Sequence, residues 1–451
     1  MSIYKDCDIR GIYPREIDEQ AVYTVGRALG TLHPGAKVAV GGDLRLSTPA
    51  LKGELIRGLT ESGARVFDLG IIPTPALYWA LSRLPLDGGA TVTASHNPPQ
   101  YNGVKFMFDG EPVTRKIMDR VEAVARSGRF SEAAGSCRNC EVLDDYMDSL
   151  TGRFHARRPL RILVDAGNGA MSEVAPKVLR RCGYEVVELF CQPDGRFPNR
   201  DPNPAEYRHL TAACQAVVDH GADFAVAFDG DGDRAVFIDD RGRPVVNEKA
   251  LTLFVQRLLK DRPTPVVYDQ KASSIVKRAT LALGGEPVPE RSGHAFIKRH
   301  FLRVGAAIAG EVSGHFFFGE LGYDDALFAA LTMADLLSES AEPLSALTDA
   351  IHCPPITPDL RVRCPYDQQQ SWLDRMEALG TARGGQASHL DGVRLDFPEG
   401  WLLMRKSITA EQITLRVEAD TPEALDALLG MVAEALPEAG EALQSWRSNP
   451  C

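Results

Sequence analysis

The sequence has no run of about 18 consecutive apolar residues, so it predicts no membrane-spanning helix. Cysteine is scarce, with nine scattered residues in 451, which argues against a disulfide framework and favours a reducing cytoplasm. An excess of positive charge is also lacking, because 61 acidic residues outnumber 50 basic ones. Nucleic-acid binders neutralise phosphates with lysine and arginine, so this balance disfavours a nucleic-acid partner. No apolar segment follows the first residues, so we expect no secretory signal.

What the sequence does contain is one pattern repeated three times: a short apolar strand, a helix that ends near glycine, and a second strand. The pattern begins at Lys37, at Arg161 and at Pro265. Such units are typical of parallel strands joined by a crossover helix, so we predict three α/β domains of similar plan. An alternating strand over 413–419, followed by an amphipathic helix over 421–436, predicts a smaller α+β domain at the end. The predicted domains cover residues 1–143, 144–246, 247–360 and 361–451.

The most specific local signal is the run Asp229-Gly-Asp-Gly-Asp-Arg234, which lies between two apolar strands. Carboxylates at alternate positions, separated by glycine, can turn toward one point, and oxygen ligands suit a hard cation such as Mg²⁺. An EF-hand calcium loop is the alternative, but Arg234 stands where that loop needs glycine, and Asp240 where it needs glutamate. The sequence therefore predicts Asp229, Asp231 and Asp233 as metal ligands, with Arg234 placed to bind an anion beside them.

A second signal is the turn Thr-Ala-Ser95-His96-Asn-Pro98, which follows a strand and precedes Lys105. Serine alone is a poor nucleophile and needs a base, a metal or both. The Gly-x-Ser-x-Gly pattern of the α/β-hydrolases does not occur around this serine, which disfavours that class. By itself the turn is equally well explained as a helix cap.

Two further loops carry polar groups suited to a phosphorylated sugar. The first, from Gly310 to His315, offers a carboxylate, a hydroxyl and an imidazole for sugar hydroxyls. The second, from Arg405 to Thr409, offers a guanidinium and two hydroxyls for a phosphate. Taken alone, each is also explained as an ordinary turn or charged loop. The polar run 192–204 is predicted to be an exposed connection.

Taken in order, these motifs resemble those of the α-D-phosphohexomutase superfamily, most closely its bacterial phosphomannomutase/phosphoglucomutase branch, over nearly the whole chain. The matching segments are Asp8-Ile-Arg10-Gly, the serine turn, the Asp-Gly-Asp-Gly-Asp-Arg loop, Gly293-His-Ala-Phe-Ile-Lys298 and the Gly-Glu-x-Ser-Gly-His loop. The resemblance implies four domains around a central cleft: three similar α/β domains, each with a mixed sheet between helices, plus a smaller α+β C-terminal domain. It also implies an intramolecular phosphotransferase that interconverts hexose 1-phosphate and hexose 6-phosphate, of mannose, glucose or both, through a phosphoserine enzyme and a 1,6-bisphosphate.

The resemblance further implies a role for each matched residue. Ser95 would carry the phosphoryl group and hold Mg²⁺ together with Asp229, Asp231 and Asp233. The other catalytic residues implied beside it are Arg10, His96 and Lys105. The residues implied in substrate binding are Arg234, Arg291, His294, Glu311, Ser313, His315, Arg405, Ser407 and Thr409, the last three for the distal phosphate. The implied cofactors are Mg²⁺ and hexose 1,6-bisphosphate, the implied partner is a small phosphosugar, and we expect a monomer or a homodimer.

Three places depart from the family pattern. Cys7 stands where an aromatic residue is usual, and Arg291 where lysine is usual. The last loop reads Arg405-Lys-Ser-Ile408-Thr-Ala-Glu and has no proline. Three alternatives therefore stay open: a phosphoglucosamine mutase, a Mg²⁺-dependent phosphatase, and a phosphosugar-binding protein without activity.

Overall fold

Four β-sheets follow one another along the chain in the computed structural model, which describes residues 2–407 and 411–440. The first sheet and its helices are built from β1 (Ile9–Ile12), α1 (Glu19–Leu32), β2 (Lys37–Gly42), α2 (Thr48–Glu61), β3 (Arg65–Ile71), α3 (Thr74–Arg83), β4 (Gly88–Val92), β5 (Tyr101–Phe108), β6 (Glu111–Pro112), α4 (Arg115–Ser127) and β7 (Ser136–Asn139). The second is built from α5 (Leu143–Thr151), β8 (Arg161–Asp165), α6 (Val174–Arg181), β9 (Glu185–Leu189), α7 (Thr211–His220), β10 (Phe224–Phe228), β11 (Ala235–Asp239) and β12 (Pro244–Val245).

The rest of the chain supplies the third and fourth sheets. The third is built from α8 (Asn247–Leu259), β13 (Pro265–Asp269), α9 (Ser274–Ala282), β14 (Glu286–Glu290), α10 (His294–Val304), β15 (Ile308–Gly310), β16 (Phe316–Phe318), β17 (Tyr323–Asp324), α11 (Ala326–Glu339) and α12 (Leu344–Asp349). The fourth is built from β18 (Leu360–Arg363), α13 (Gln369–Ala382), β19 (Gln386–Ser388), β20 (Val393–Phe397), β21 (Gly400–Lys406), β22 (Gln412–Ala419) and α14 (Pro422–Ala435). Within the described ranges, no helix has the length and apolar character that a membrane crossing requires.

The first three sheets share one strand order, which explains the repeat in the sequence. Their central strands run β3-β2-β4-β5, β9-β8-β10-β11 and β14-β13-β15-β16. In each set the first three strands are parallel, and the fourth is antiparallel to its neighbour. The fourth sheet is antiparallel throughout, in the order β18-β22-β21-β20-β19. The prediction of three similar α/β domains and one different domain is therefore confirmed, whereas the boundaries at 143, 246 and 360 stay predictions.

The first strand of each repeat ends in a buried aspartate. Asp43, Asp165 and Asp269 are all fully buried. They lie at or just beyond the carboxyl ends of parallel strands, the edge where α/β sheets form their binding crevices. Each carboxylate is bonded within its own domain, and Arg200 donates to Asp165 at 2.8 Å. The repeated aspartates thus organise the loops at the site edge of each sheet.

The polar run 192–204 is only in part the exposed connection that its composition suggested: Arg196 and Asn199 are exposed, but other residues are buried. Phe197 is 5% exposed and Arg200 is 7% exposed. The Arg200 guanidinium also donates to the main-chain oxygen of Phe228 at 2.7 Å, just before the acidic loop. The expectation fails for the buried residues because long-range ion pairing and carbonyl contacts bury side chains that local polarity would place in solvent.

The hydrophobic cores separate the fourth domain from the rest. One continuous buried cluster joins the first three domains and includes Leu77, Phe254 and Phe328. The fourth domain has a core of its own, which includes Leu395 and Val417. Because no apolar cluster crosses that boundary in the described part of the chain, the fourth domain is tied to the third mainly by polar contacts. Examples are Lys271 with Asp359 at 2.8 Å and Arg416 with Glu248 at 2.9 Å.

A buried carboxyl between α5 and α11 predicts a pH-dependent stability. Asp325 caps α11 by accepting from the Phe328 N–H at 3.0 Å, and the Tyr146 hydroxyl donates to it at 3.0 Å. Burial raises the pKa of Asp325 to about 7. Its folded-state pKa exceeds its unfolded value, so its stabilising contribution is complete below about pH 4 and is lost as the pH rises through 7. We therefore expect the unfolding free energy of Asp325→Asn minus that of wild type to increase by up to about 4 kcal/mol as the pH is raised from 4 to 8.

Urea unfolding of both proteins across that pH range measures the difference. Asp145→Asn, which changes an exposed carboxyl on α5, is the matched control. Parallel stability curves for Asp325→Asn and wild type would contradict the prediction.

Candidate active site

Ser95 is buried at the junction of the first two domains. It follows β4, and its backbone φ of +49° is in the left-handed region, which costs a non-glycine residue about 1–2 kcal/mol. The Ser95 hydroxyl donates to Oδ2 of Asp229 at 2.7 Å, across 134 positions of the sequence. A Cβ atom at Gly230 would lie 2.6 Å from the Ser95 carbonyl oxygen, so glycine there permits the close approach. The serine turn and the acidic loop therefore form one site.

The acidic loop joins β10 to β11 and turns its three carboxylates toward one point. One oxygen from each of Asp229, Asp231 and Asp233 lies within 4.8 Å of the others, and all three residues are fully buried. Oδ1 of Asp229 accepts from the backbone N–H groups of Gly232 at 3.0 Å and Asp233 at 3.1 Å, which closes the loop on itself. The Thr74 hydroxyl, at the start of α3, donates to Oδ2 of Asp231 at 2.8 Å.

This cluster fits a divalent cation. Among the described residues, the Oδ1 atoms of Asp231 and Asp233 are buried and have no hydrogen-bond partner. Burial and the two neighbouring carboxylates raise the pKa of Asp229 well above its ordinary value, which reflects an excess of negative charge. A hard cation held by oxygen ligands would occupy the free lone pairs and neutralise that charge.

Lys105, Arg10 and His96 surround the serine turn. The Lys105 ammonium, on β5, donates to Asp231 at 2.8 Å and to Asp233 at 2.7 Å. Burial lowers the pKa of Lys105, but the two carboxylates outweigh it and raise the pKa above its usual range, so this side chain keeps its proton.

Arg10, on β1, donates to Asp8 at 2.6 Å and also bonds the side chain of Asn97. Burial and the nearby cation of Arg234 lower the pKa of His96 well below its ordinary value, so this imidazole is neutral.

Two histidines of the third domain share one carboxylate. Nε2 of His294 lies 2.9 Å from both oxygens of Asp324, and Nδ1 of His315 lies 2.9 Å from Oδ2. Arg234 donates from Nε to His315 Nε2 at 2.9 Å. Because an arginine Nε can only donate, His315 Nε2 accepts, and its Nδ1 hydrogen is donated to Asp324. Asp324 thus fixes the orientation of both rings, as carboxylates commonly do for functional imidazoles.

A cavity of about 170 Å³ brings many of these residues together. Its lining comes from the first three domains and includes Arg10, His96, Lys105, Arg234, His294 and His315. Cys7, one of the departures from the family pattern, also lines it, and burial raises the pKa of its thiol to about 12. The cavity wall is therefore rich in cations and imidazoles beside the acidic cluster, which suits an anionic substrate.

The remaining predicted residues lie around this cavity or outside it. Burial raises the pKa of Glu311, but its neighbours His315, Arg234 and Lys271 outweigh burial and lower the pKa, so Glu311 lies near these groups. Arg291 lies with its guanidinium 3.9 Å from the centre of the Phe296 ring. The described lining does not include Ser313, Arg291 or Glu311.

Arg405 and Ser407, the described residues of the fourth-domain loop that were predicted to bind phosphate, do not line the cavity either. Arg405 lies 3.3 Å from Asp391 of its own domain, and Ser407 donates its backbone N–H to Gln412 at 3.0 Å. Thr409 lies outside the described residues.

Sequence reasoning missed three residues of the site: Thr74, Asp324 and Lys298. Thr74 bonds the acidic loop, Asp324 holds both histidines, and Lys298 lines the cavity with its ammonium 3.5 Å from the centre of the Tyr78 ring. Lys298 belongs to the Gly-His-Ala-Phe-Ile-Lys segment, so its position one helical turn after His294 was a usable signal. Thr74 and Asp324 carried no such signal. The partner of Thr74 is 157 positions away, and the two histidine partners of Asp324 are 9 and 30 positions away.

An acidic cluster bonded to a buried serine, next to a cationic cleft between repeated α/β domains, is the arrangement of a phosphoryl-transfer enzyme. Family models described as phosphoglucomutase/phosphomannomutase, alpha/beta/alpha domains I, II and III, match residues 1–132, 144–242 and 247–352. The chain belongs to the phosphoglucomutase/phosphomannomutase family and is a phosphohexomutase.

Relatives along the whole chain agree with this assignment. A phosphomannomutase/phosphoglucomutase of Pseudomonas putida is 34% identical over 426 residues, which cover 93% of this chain and 92% of the relative. A phosphoglucomutase of Neisseria gonorrhoeae is 35% identical over 434 residues and 94% of both chains. The crystal structure of a phosphoglucomutase/phosphomannomutase family protein from Burkholderia thailandensis superposes with a TM-score of 0.91 at 33% identity, over 97% of both chains. These names do not favour the phosphoglucosamine mutase alternative.

Proposed function

We propose that this enzyme interconverts the 1-phosphate and 6-phosphate of mannose, glucose or both, with Ser95 as the phosphoryl carrier. The observation that carries the proposal is the 2.7 Å hydrogen bond from the Ser95 hydroxyl to Asp229, which joins the predicted nucleophile to the predicted metal loop. The family's names supply the sugars, and the cationic cavity suits their phosphates.

The transfer starts from a phosphorylated Ser95. The free hydroxyl of the bound hexose monophosphate attacks the phosphorus, and the bond from phosphorus to the serine oxygen breaks, which leaves a hexose 1,6-bisphosphate. The bisphosphate then turns within the cleft, and the serine oxygen takes back the other phosphoryl group, which releases the isomeric monophosphate. Asp229, Asp231, Asp233 and an oxygen on Ser95 would hold Mg²⁺, which when bound supplies Lewis-acid stabilisation of phosphoryl oxygens. Arg234 stabilises charge on the transferring group as well.

Lys105 moves the proton that this exchange requires. Its ammonium bonds Asp231 and Asp233, the neighbours of the carboxylate that accepts from Ser95. It therefore supplies a proton to the serine oxygen as the phosphoryl group leaves and takes up the proton that the attacking sugar hydroxyl releases, so Lys105 is protonated before and after the transfer. Both movements are reversed when the group returns to the serine. Arg10 serves as a fixed cation beside Asn97.

The two ends of the sugar bind to different parts of the chain. Glu311, Ser313, His294 and His315 bond the sugar hydroxyls, with both rings oriented by Asp324. Arg291 contributes a cation at that end. Arg405, Ser407 and Thr409 hold the phosphate that is not being transferred. Because the fourth domain has its own core, it closes over the substrate as one body and excludes water from the phosphoserine.

A coupled assay over three substrates tests the proposal. We expect glucose 1-phosphate or mannose 1-phosphate to be converted at least about tenfold more efficiently than glucosamine 6-phosphate, since one altered ring contact typically changes efficiency by this factor. The reaction should need Mg²⁺ and should be stimulated by glucose 1,6-bisphosphate.

Two outcomes would contradict the proposal. Conversion of glucosamine 6-phosphate alone would make this a phosphoglucosamine mutase. Inorganic phosphate released in step with substrate loss would instead make it a phosphatase.

A further inference from the structure

Arg45, in the turn after β2, uses its whole guanidinium to hold the serine turn. The residue is 1% exposed. Its Nη2 donates to the main-chain oxygens of Ser95 at 2.8 Å and Asn97 at 2.6 Å. Its Nη1 donates to the main-chain oxygens of Pro98 at 2.7 Å and Tyr101 at 3.0 Å. With the bond from Nε to Asp43, all five N–H groups of the guanidinium are used, and four of them bond one short loop.

Asp43, which pairs with Arg45, also holds the backbone N–H of Ser95 through Thr93. Ser95 donates its backbone N–H to the Thr93 hydroxyl at 2.8 Å, and that hydroxyl donates to Asp43 Oδ2 at 2.7 Å. Asp43 also accepts from Arg45 Nε at 3.0 Å. Asp43 therefore holds the N–H of Ser95 through Thr93, and Arg45 holds the carbonyl oxygen of Ser95 directly.

The loop 192–204 covers this arrangement from the second domain. The ring of Phe197 lies with its centre 5.2 Å from the Arg45 guanidinium carbon. A Cβ atom at Gly195 would lie 1.9 Å from the main-chain oxygen of Leu44, so glycine is required for the loop to approach this closely. Arg45 is thus enclosed by residues of the second domain.

We propose that Arg45 is a positioning residue that keeps Ser95 in its left-handed conformation and so aims the serine oxygen at Asp229. A serine at φ +49° relaxes toward an ordinary conformation unless its peptide groups are held, and such a change would redirect the side chain. The inference rests on the proposed function of Ser95. It gives a role to Arg45 and to the buried loop 192–204 that neither the motifs nor the comparisons assign.

The test compares Arg45→Lys with Arg27→Lys in the full-length enzyme. Arg27 is a buried arginine of the same domain, 6% exposed, which bonds Ser62 and the main-chain oxygen of Ser131 away from the site. Lysine keeps the charge beside Asp43 but cannot reach four carbonyls at once. We expect Arg45→Lys to lower kcat about 100-fold with KM changed less than about threefold, as a misplaced reacting group does. The phosphorus NMR signal of the phosphoserine should shift or split in Arg45→Lys and stay unchanged in Arg27→Lys.

Thr93→Val is the second variant, and it decides the question if Arg45→Lys does not fold. It removes the acceptor for the Ser95 N–H together with that hydroxyl's donation to Asp43, and we expect kcat to fall about tenfold, with KM again little changed. Any one of three results would overturn the proposal. They are a kcat within about threefold of the Arg27→Lys value, an unchanged phosphorus signal, and a KM that rises in proportion to the loss of kcat. Turnover by Ser95→Ala, in contrast, would overturn the proposed function itself, so the two failures are distinguishable.

Discussion

Replacement of Ser95 by alanine is expected to lower the mutase rate about 10⁴- to 10⁶-fold, the loss seen when an enzyme's nucleophile is removed. Among the described hydrogen bonds, Thr74 also donates its hydroxyl to the acidic cluster, but its partner is Asp231 and not Asp229. The measurement is the steady-state rate with glucose 1-phosphate. The intact mass of the variant should also lack the phosphoryl group carried by the wild-type enzyme.

Ser127→Ala is the matched control, because Ser127 is an exposed serine of the same domain whose hydroxyl bonds only main-chain groups nearby, the oxygen of Val124 and the N–H of Arg129. It should keep wild-type turnover and mass. Near-normal turnover by Ser95→Ala would remove Ser95 from the mechanism, whatever the state of the metal loop.

The second large effect is expected for Asp231→Asn. The substitution removes one negative charge from the cluster and places an amide beside Lys105 and Thr74, which both donate to Oδ2 of Asp231. Cation affinity depends steeply on the number of charged ligands, so we expect the half-saturating Mg²⁺ concentration to rise about 100-fold. At saturating Mg²⁺, kcat should fall about 100-fold, because Lys105 and the transferring group lose a fixed electrostatic partner.

Titration of activity against Mg²⁺ measures both quantities, and isothermal calorimetry measures binding without turnover. Asp219→Asn is the control, since Asp219 is an exposed aspartate on α7 of the same domain. An unchanged Mg²⁺ titration for Asp231→Asn would exclude the acidic loop as the metal site.

Local patterns in the sequence predicted the repeated architecture because each α/β unit depends on residues that are close together in the sequence. An apolar strand, a helix ended by glycine and a second strand appear as a contiguous pattern, and Gly63 indeed follows α2 with a φ of +92°. The acidic loop was predictable for the same reason, since its carboxylates alternate within five positions. The polar loop 192–204 was misjudged, because the residues that bury Arg200 and Phe197 lie far from them along the chain.

The sequence by itself therefore determined the repeated domains, the family and the chemical types present at the site. Only the tertiary structure decided which of those groups meet. The contact of Ser95 with Asp229 spans 134 positions, that of Arg45 with the serine turn about 50, and that of Lys105 with Asp233 128. The physical reason is that a side chain's partners are set by how whole sheets and loops pack, and no local propensity contains that information.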